Sequence, residues 1–439
     1  MKLFGTDGIR GRAFQYPLTP DFLKKIGRAL PLVLKNRANK AVIGGDTRNS
    51  TEQLKQALGS GLAESGLTVR DCGVAPTPVI AYLVRSTGAS FGVVISASHN
   101  PWFDNGIKIF DSKGFKLMPE FEQIIENKLK QLLQQNGQQG SIKELDWHNR
   151  YLNHITKHFK LNLKGISVVA DLANGAGYHI APKVFSMFNA NLTVINDKPN
   201  GRNINENCGS EHPAALIESV KSEHADLGIG FDGDCDRAVF VDETGKLVNG
   251  DSIIAIIASW LKQKGKLKHN KIAVSIYSNL GLVKSLKKQG IEVVFTDVGD
   301  RWIAKKVAEQ GLSLGGEMSG HIILPDIETT GNGIVTALTI LSIMKETGKQ
   351  LSELDFIELY PQRIINRKVK RKPPLESLPG YKQLVTRIEK ELGERGRIFV
   401  RYSGTQPLLR IMVEAETEEL INKYLSLISD YLRKQLGDE

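Results

Sequence analysis

Cysteine is scarce in this chain: Cys72, Cys208 and Cys235 are the only three among 439 residues, and no two form a C-x-x-C pair. That argues against a disulfide framework and fits a reducing compartment. Long apolar runs are missing as well. The longest, IIAIIASWL at 253–261, is far below the roughly 18 residues of a membrane span, and MKLFGTDGIRG opens without an apolar signal core. A cytoplasmic protein with no membrane partner is expected. With 41% hydrophobic and 24% charged residues, the composition is that of an ordinary globular chain. Its length is enough for about three domains or more.

The net charge of +10 leaves three kinds of partner open: nucleic acid, a membrane surface, or a small anionic substrate. The densest basic cluster, RIINRKVKRKPP at 363–374, runs into two prolines and reads as a strand end plus linker. No RNP-type aromatic motif, zinc-finger spacing or helix-turn-helix signature accompanies it. A basic nucleic-acid-binding protein therefore rests on charge alone.

The most informative stretch is IGFDGDCDRAVFVD at 229–242. Asp232, Asp234 and Asp236 stand at alternate positions after an apolar run, and in extended chain residues two apart point the same way. Three converging carboxylates repel one another unless a cation lies between them, and hard oxygen donors suit Mg²⁺ or Ca²⁺. An EF-hand is excluded by context. Glu243 falls at the twelfth position of that pattern, but Arg237 occupies the sixth, where a sharp turn normally needs glycine, and both flanks read as strands. Arg237 beside the acids points to an anionic ligand, and Mg²⁺ commonly keeps positions open for phosphate oxygens.

Strand-like, helix-like and strand-like segments alternate three times along the chain. Each copy ends in a polar loop: SASHNP at 96–101, DGDCDR at 232–237 and GEMSGH at 316–321. This is repetition of topology rather than of sequence. It predicts an α/β protein with three similar mixed-sheet α/β domains, at 1–150, 151–248 and 249–360. A smaller C-terminal α+β domain follows at 361–439. Ligands in such sheets bind beyond the carboxyl ends of strands, where all three loops lie, so the loops are expected to face a central cleft.

No Ser-His-Asp arrangement can be established around Ser98, and a metal-linked role explains it better: Ser98 is the candidate to carry a phosphate whose oxygen fills the open position on the metal. Lys108, in DNGIKIF, and Arg10, in the glycine-rich FGTDGIRGR, are candidates to neutralise a transferring phosphate. Glu317, Ser319 and His321 suit sugar hydroxyls, with His321 also able to exchange protons. RYSGTQPLLR at 401–410 combines Arg401 and Arg410 with Ser403, Gly404 and Thr405, the makings of an anion nest.

Taken in order, FGTDGIRG, VVISASHNPWFDNGIKIF, GFDGDCDR, GEMSGH and RYSGTQPLLR resemble the α-D-phosphohexomutase family over essentially the whole chain. SNLGL, VGDRW, GEMSGHIIL and TTGNG resemble most the bacterial branch acting on glucosamine phosphates. GEMSGH is also similar to the phosphomannomutase/phosphoglucomutase branch. The resemblance implies exchange of glucosamine 6-phosphate and glucosamine 1-phosphate, on the route to UDP-N-acetylglucosamine and cell-wall precursors. It implies phosphorylation of Ser98, one Mg²⁺ held by Ser98, Asp232, Asp234 and Asp236, and a sugar 1,6-bisphosphate as intermediate and activator. A phosphosugar substrate, no nucleic acid, and a monomer or homodimer follow from the same reading. Glu317 and Ser319 are implied as sugar contacts. Arg401, Ser403, Gly404, Thr405 and Arg410 are implied to dock the non-reacting phosphate. For a transfer of that kind, charge neutralisation by Arg10, Lys108 and Arg237 is expected, with His321 a candidate for proton exchange. Three positions depart from the family pattern: Gln406 where Glu is usual, Cys235 where Gly is common, and Asn332 where Asp is frequent.

Overall fold

Strands that are apolar at every position have to be covered on both faces, and the computed structural model of the chain bears this out. It describes residues 3–5, 7–34, 39–131, 140–402 and 408–437. All five residues of FGVVI at 91–95 and of LGIGF at 227–231 are buried. In the second run Gly228 and Gly230 leave room for Val220, Val241 and Leu216, which a Cβ would strike.

The first sheet contains β1 (Ile9–Arg12), β2 (Lys40–Gly45), β3 (Thr68–Val74), β4 (Phe91–Ile95), β5 (Asp104–Phe110) and β6 (Ser141–Glu144), in the order β1-β5-β4-β2-β3-β6. The second contains β7 (Ser167–Asp171), β8 (Asn191–Ile195), β9 (Leu227–Phe231), β10 (Ala238–Asp242) and β11 (Leu247–Val248), ordered β11-β10-β9-β7-β8. The third is β12 (Lys271–Ser275), β13 (Glu292–Thr296), β14 (Gly315–Gly316) and β15 (Ile322–Ile323), ordered β13-β12-β14-β15.

One four-strand plan underlies all three. A central strand pairs in parallel with the next strand on one side and with the third on the other, and the fourth returns antiparallel beside the third. The three polar loops are therefore the same feature in each sheet: the turn between the third strand and its antiparallel return. The repeat predicted from the order of segments is real, and it places SASHNP, DGDCDR and GEMSGH at equivalent points.

Contacts divide the chain into two compact units, 1–277 with 289–356, and 278–288 with 357–439. The second unit holds an antiparallel sheet of β16 (Gln362–Lys368), β17 (Gly396–Tyr402) and β18 (Leu408–Ala415), ordered β16-β18-β17. Helices Tyr381–Leu392 and Glu418–Leu436 cover it through Ile388, Leu392, Ile421, Ile428 and Leu432. Helix Leu280–Lys288 joins this unit because Leu280 N–H donates to Glu414 (2.7 Å) and Gly281 sits where a Cβ would collide with the Glu358 carbonyl. Part of the basic cluster is engaged within the unit: Arg363 pairs with Glu418 at 2.8 Å and Arg367 donates to the Ser429 carbonyl. No helix among the described residues is long and apolar enough to cross a membrane.

Candidate active site

Ser98 lies at the start of the β4–β5 turn with φ +55 and no exposed surface. A left-handed conformation costs a side-chain-bearing residue about 1–2 kcal/mol, so its surroundings must hold it there. Arg48 and Asn205 both do so, each donating to the carbonyls of Ser98 and Asn100 at 2.9–3.0 Å. Asp46 in turn orients Arg48 (2.9 Å). The result is a hydroxyl aimed at the second sheet: Ser98 Oγ donates to Asp232 Oδ2 at 2.6 Å.

Asp232, Asp234 and Asp236 are all buried, and one carboxylate oxygen from each lies within 4.8 Å of the others. Gly233 lets the two loops meet, since a Cβ there would fall 2.6 Å from the Ser98 carbonyl. Cys235 adopts φ +62, which explains why glycine suits that position. Asp234 Oδ1 and Asp236 Oδ1 are buried without a hydrogen-bond partner among the described residues. Oxygen donors converging with unmatched lone pairs fit a hard divalent cation such as Mg²⁺.

Lysine reaches the same carboxylates. Lys108 Nζ is 2.5 Å from Asp234 Oδ2, 2.8 Å from Asp236 Oδ2 and 3.6 Å from Asp7 Oδ2, at 1% side-chain exposure. Burial works against its charge, but the carboxylates prevail and hold its pKa well above the ordinary value. The Asp232 pKa is raised as well, by burial and by Asp236 and Asp234, which favours its neutral form and suits an oxygen that shares the Ser98 proton.

His321 comes from the third loop, turned inward by Gly320 (φ +86), where a Cβ would strike the Ala238 carbonyl. Its Nδ1 is 3.6 Å from Asp236 Oδ1 and its Nε2 3.1 Å from Asp300 Oδ2. Burial lowers its pKa, but Asp300 and Asp236 outweigh this and raise it to about 9. The Gly331 N–H also points at Nε2 from 2.9 Å, a contact that only an unprotonated Nε2 satisfies. The two full carboxylate charges outweigh one peptide dipole, so the imidazolium is the state that fits this enclosure.

Arg10 pairs with Asp7 at 2.5 Å and reaches Asn100 Oδ1 at 3.4 Å. Arg237 lies 3.9 Å from both Asp236 and Glu211. Glu317 Oε1 accepts from Gly299 N–H (3.1 Å), while Ser319 Oγ is buried without a partner among the described residues. The structure thus gathers Arg10, Ser98, Lys108, Asp232, Asp234, Asp236, Arg237, Glu317, Ser319 and His321 within one unit.

Arg401 and Arg410 face each other across β17 and β18 in the other unit. Ser403, Gly404, Thr405 and Gln406 lie outside the described residues. Asn332 caps helix Gly333–Thr347 by accepting from Ile334 and Val335 N–H, and its amide donates to Tyr151 OH at 2.9 Å. The amide thus keeps the acceptor an aspartate would supply and adds a donor.

Sequence reasoning missed a second layer of charge. Lys116 Nζ bridges Asp7 (2.7 Å) and Asp300 (2.6 Å), and so links Arg10 to His321. Asp7 sits inside FGTDGIRGR, read for its glycines and arginines, and Asp300 inside VGDRW, quoted only for the family resemblance. Lys116 has no local signal: it is one lysine among many until the fold places it between two acids.

Four family models match in order: phosphoglucomutase/phosphomannomutase alpha/beta/alpha domain I at 1–136, domain II at 149–245, domain III at 249–360 and the C-terminal domain at 364–430.

The chain belongs to the phosphoglucomutase/phosphomannomutase family.

A phosphoglucosamine mutase of Bdellovibrio bacteriovorus is 44% identical to it over 99% of each chain. Among solved structures, a phosphoglucomutase/phosphomannomutase family protein of Burkholderia thailandensis matches with a TM-score of 0.83 at 21% identity, covering 100% of this chain and 98% of that one. The N-acetylphosphoglucosamine mutase of Aspergillus fumigatus, solved with GlcNAc-6P and magnesium, matches at 0.69 and 16% identity, covering 99% and 96%. These two likenesses are of fold.

Proposed function

We propose that this chain interconverts glucosamine 6-phosphate and glucosamine 1-phosphate through a phosphorylated Ser98 and a sugar 1,6-bisphosphate. The observation that carries the reading is the 2.6 Å hydrogen bond from Ser98 Oγ to Asp232, one member of a buried three-carboxylate cluster. The whole-chain likeness to a phosphoglucosamine mutase supports the choice of sugar.

In the first step a free hydroxyl of the sugar monophosphate attacks the phosphorus on Ser98. The new sugar O–P bond forms as the Ser98 Oγ–P bond breaks, and the hydroxyl proton ends on Ser98 Oγ, which holds it against Asp232. The bisphosphate then turns over, and its other phosphoryl group returns to Ser98 by the reverse of the same step. Such transfers depend on positioning and charge neutralisation more than on covalent work by the protein. Arg10, Lys108 and Arg237 supply positive charge, and the His321 imidazolium supplies a proton donor. Glu317 and Ser319 hold sugar hydroxyls. Arg401 and Arg410, with Ser403, Gly404 and Thr405, take the phosphate that is not being transferred. Mg²⁺, held by Ser98, Asp232, Asp234 and Asp236, supplies charge neutralisation at the phosphoryl oxygens when bound.

Two measurements test this. Incubating the protein with glucose 1,6-bisphosphate is expected to add the mass of one phosphoryl group to the wild type and nothing to Ser98→Ala. In side-by-side assays kcat/KM for glucosamine 1-phosphate is expected to exceed that for glucose 1-phosphate and mannose 1-phosphate by roughly tenfold or more. Phosphorylation at any residue other than Ser98, or net release of inorganic phosphate in place of isomerisation, overturns the reading.

A further inference from the structure

One buried ammonium faces a carboxylate from each of the three α/β repeats. Lys116 Nζ lies 2.7 Å from Asp7 Oδ1, 2.6 Å from Asp300 Oδ2 and 3.8 Å from Asp236 Oδ2, at 5% side-chain exposure. We propose that Lys116 is a positioning residue for phosphoryl transfer, which sets the Arg10 guanidinium and the His321 ring against one another through Asp7 and Asp300. The role presupposes the mutase activity proposed above.

The links run in series. Asp7 turns one oxygen to Lys116 and the other to Arg10, 2.5 Å away. On the far side, Asp300 Oδ2 is shared between Lys116 and His321 Nε2, which is 3.1 Å from it. Lys108 does not duplicate this connection. Its partners Asp7, Asp234 and Asp236 come from the first two repeats and none from the third.

The backbone behind each member is fixed by packing. Lys116 pairs with Phe110 in an isolated antiparallel bridge, and the next residue, Leu117, donates its N–H to the Ile109 carbonyl at 3.0 Å. Asp7 is followed by Gly8 at φ +76, where a Cβ would fall 2.0 Å from the Ile107 carbonyl oxygen. Asp300 opens helix Asp300–Gln310, and Arg301 beside it pairs with Glu122 at 2.8 Å, both side chains buried. What holds two like charges at a common point between these supports is the ammonium. Without it Asp7 and Asp300 repel one another, and Arg10 and His321 follow them. A second ion pair joins the first and third repeats, Arg85 with Glu328 at 2.9 Å, but neither partner is bonded to a group placed around the transfer.

The test follows phosphoryl transfer from glucose 1,6-bisphosphate to Ser98 by intact mass in rapidly quenched samples of the full chain in Mg²⁺, beside steady-state kinetics. Lys116→Met is expected to slow the transfer about 100-fold, the loss that a misplacement of about 1 Å produces, while KM changes by less than about threefold. Arg85→Met, which breaks the other link, is expected to transfer at the wild-type rate. Lys116→Met leaves buried carboxylates short of a partner, so Lys116→Met/Asp300→Asn is measured with it. In that double variant the melting temperature is expected to recover and the transfer rate is not, because the link from Lys116 to Asp300 stays broken. A rate that recovers together with the melting temperature, equal slowing in Arg85→Met, or wild-type transfer in Lys116→Met overturns the proposal. If the wild type itself takes up no phosphoryl group, the mutase reading falls and this role with it.

Discussion

The ammonium of Lys108 lies 2.5 Å from Oδ2 of Asp234, and both side chains are shut away from solvent. A monovalent cation thus stands against carboxylates whose geometry suits a divalent one, and the two compete for the same charge. In Lys108→Met the carboxylates lose that partner. Breaking a buried pair costs on the order of 3–5 kcal/mol, so the metal-free variant is expected to melt well below the wild type. Mg²⁺ is expected to bind it roughly tenfold more tightly, by calorimetry, and to raise its melting temperature by more than in the wild type. On the proposed role of Lys108 beside the transferring phosphate, turnover is expected to fall as well. Unchanged or weaker Mg²⁺ binding would mean that lysine and metal do not compete.

Gly233→Ala tests how closely the first and second loops must approach. The added methyl would sit 2.6 Å from the Ser98 carbonyl and 2.8 Å from Ile204 Cδ1. Overpacking of this kind costs typically about 1–3 kcal/mol, and here it also pushes Ser98 away from Asp232. The expected outcome is a modest loss of stability with a much larger loss of kcat. Wild-type turnover with a normal melting temperature would show that the 2.6 Å hydrogen bond is dispensable.

Arg401 and Arg410 are directly opposed across an antiparallel pair. Like charges directly opposite each other are destabilising, and a bound anion offsets that repulsion. Arg410→Ala is therefore expected to leave the melting temperature of the free protein unchanged or slightly raised, while KM for the sugar phosphate rises roughly tenfold or more. Inorganic phosphate should stabilise the wild type and have a smaller effect on the variant. Equal stabilisation of both would place the phosphate elsewhere.

His99 gives a pH signature. Burial lowers its pKa, and the charges of Arg237, Arg10 and Lys108 lower it further, to about 3 from an ordinary 6.5. The unfolded chain therefore takes up its proton before the folded one does. Stability from this group is complete above pH 6.5 and declines as the pH falls towards 3. Melting temperatures of the wild type and His99→Gln are expected to converge over that window; parallel curves would remove His99 from the titration.

Much of the fold was legible because its signals are local. All-apolar strands punctuated by polar loops read directly as covered sheets, and the three-fold order of segments revealed the shared plan. The aspartate cluster was legible for the same reason: alternate positions in an extended loop share a side, so Asp232, Asp234 and Asp236 needed no tertiary information to be grouped. The helix at 280–288 was not assignable in this way. It sits among segments of the third repeat along the chain, yet its backbone binds Glu414 and fits against Glu358, contacts that no periodicity announces.

The sequence alone determined which chemical groups are present and on which loops: a serine at one strand end, three acids at another, and glutamate, serine and histidine at a third. Tertiary structure decided their partnerships. Ser98 and Asp232 are 134 residues apart in the chain, and Lys116 acquires a role only between Asp7 and Asp300. Three sheets with the same strand order present their turns to one another, and the packing of those sheets sets every distance on which the chemistry depends. Local pattern specifies elements because its forces act within a few residues; a site assembled from several elements depends on how they pack, which no single segment encodes.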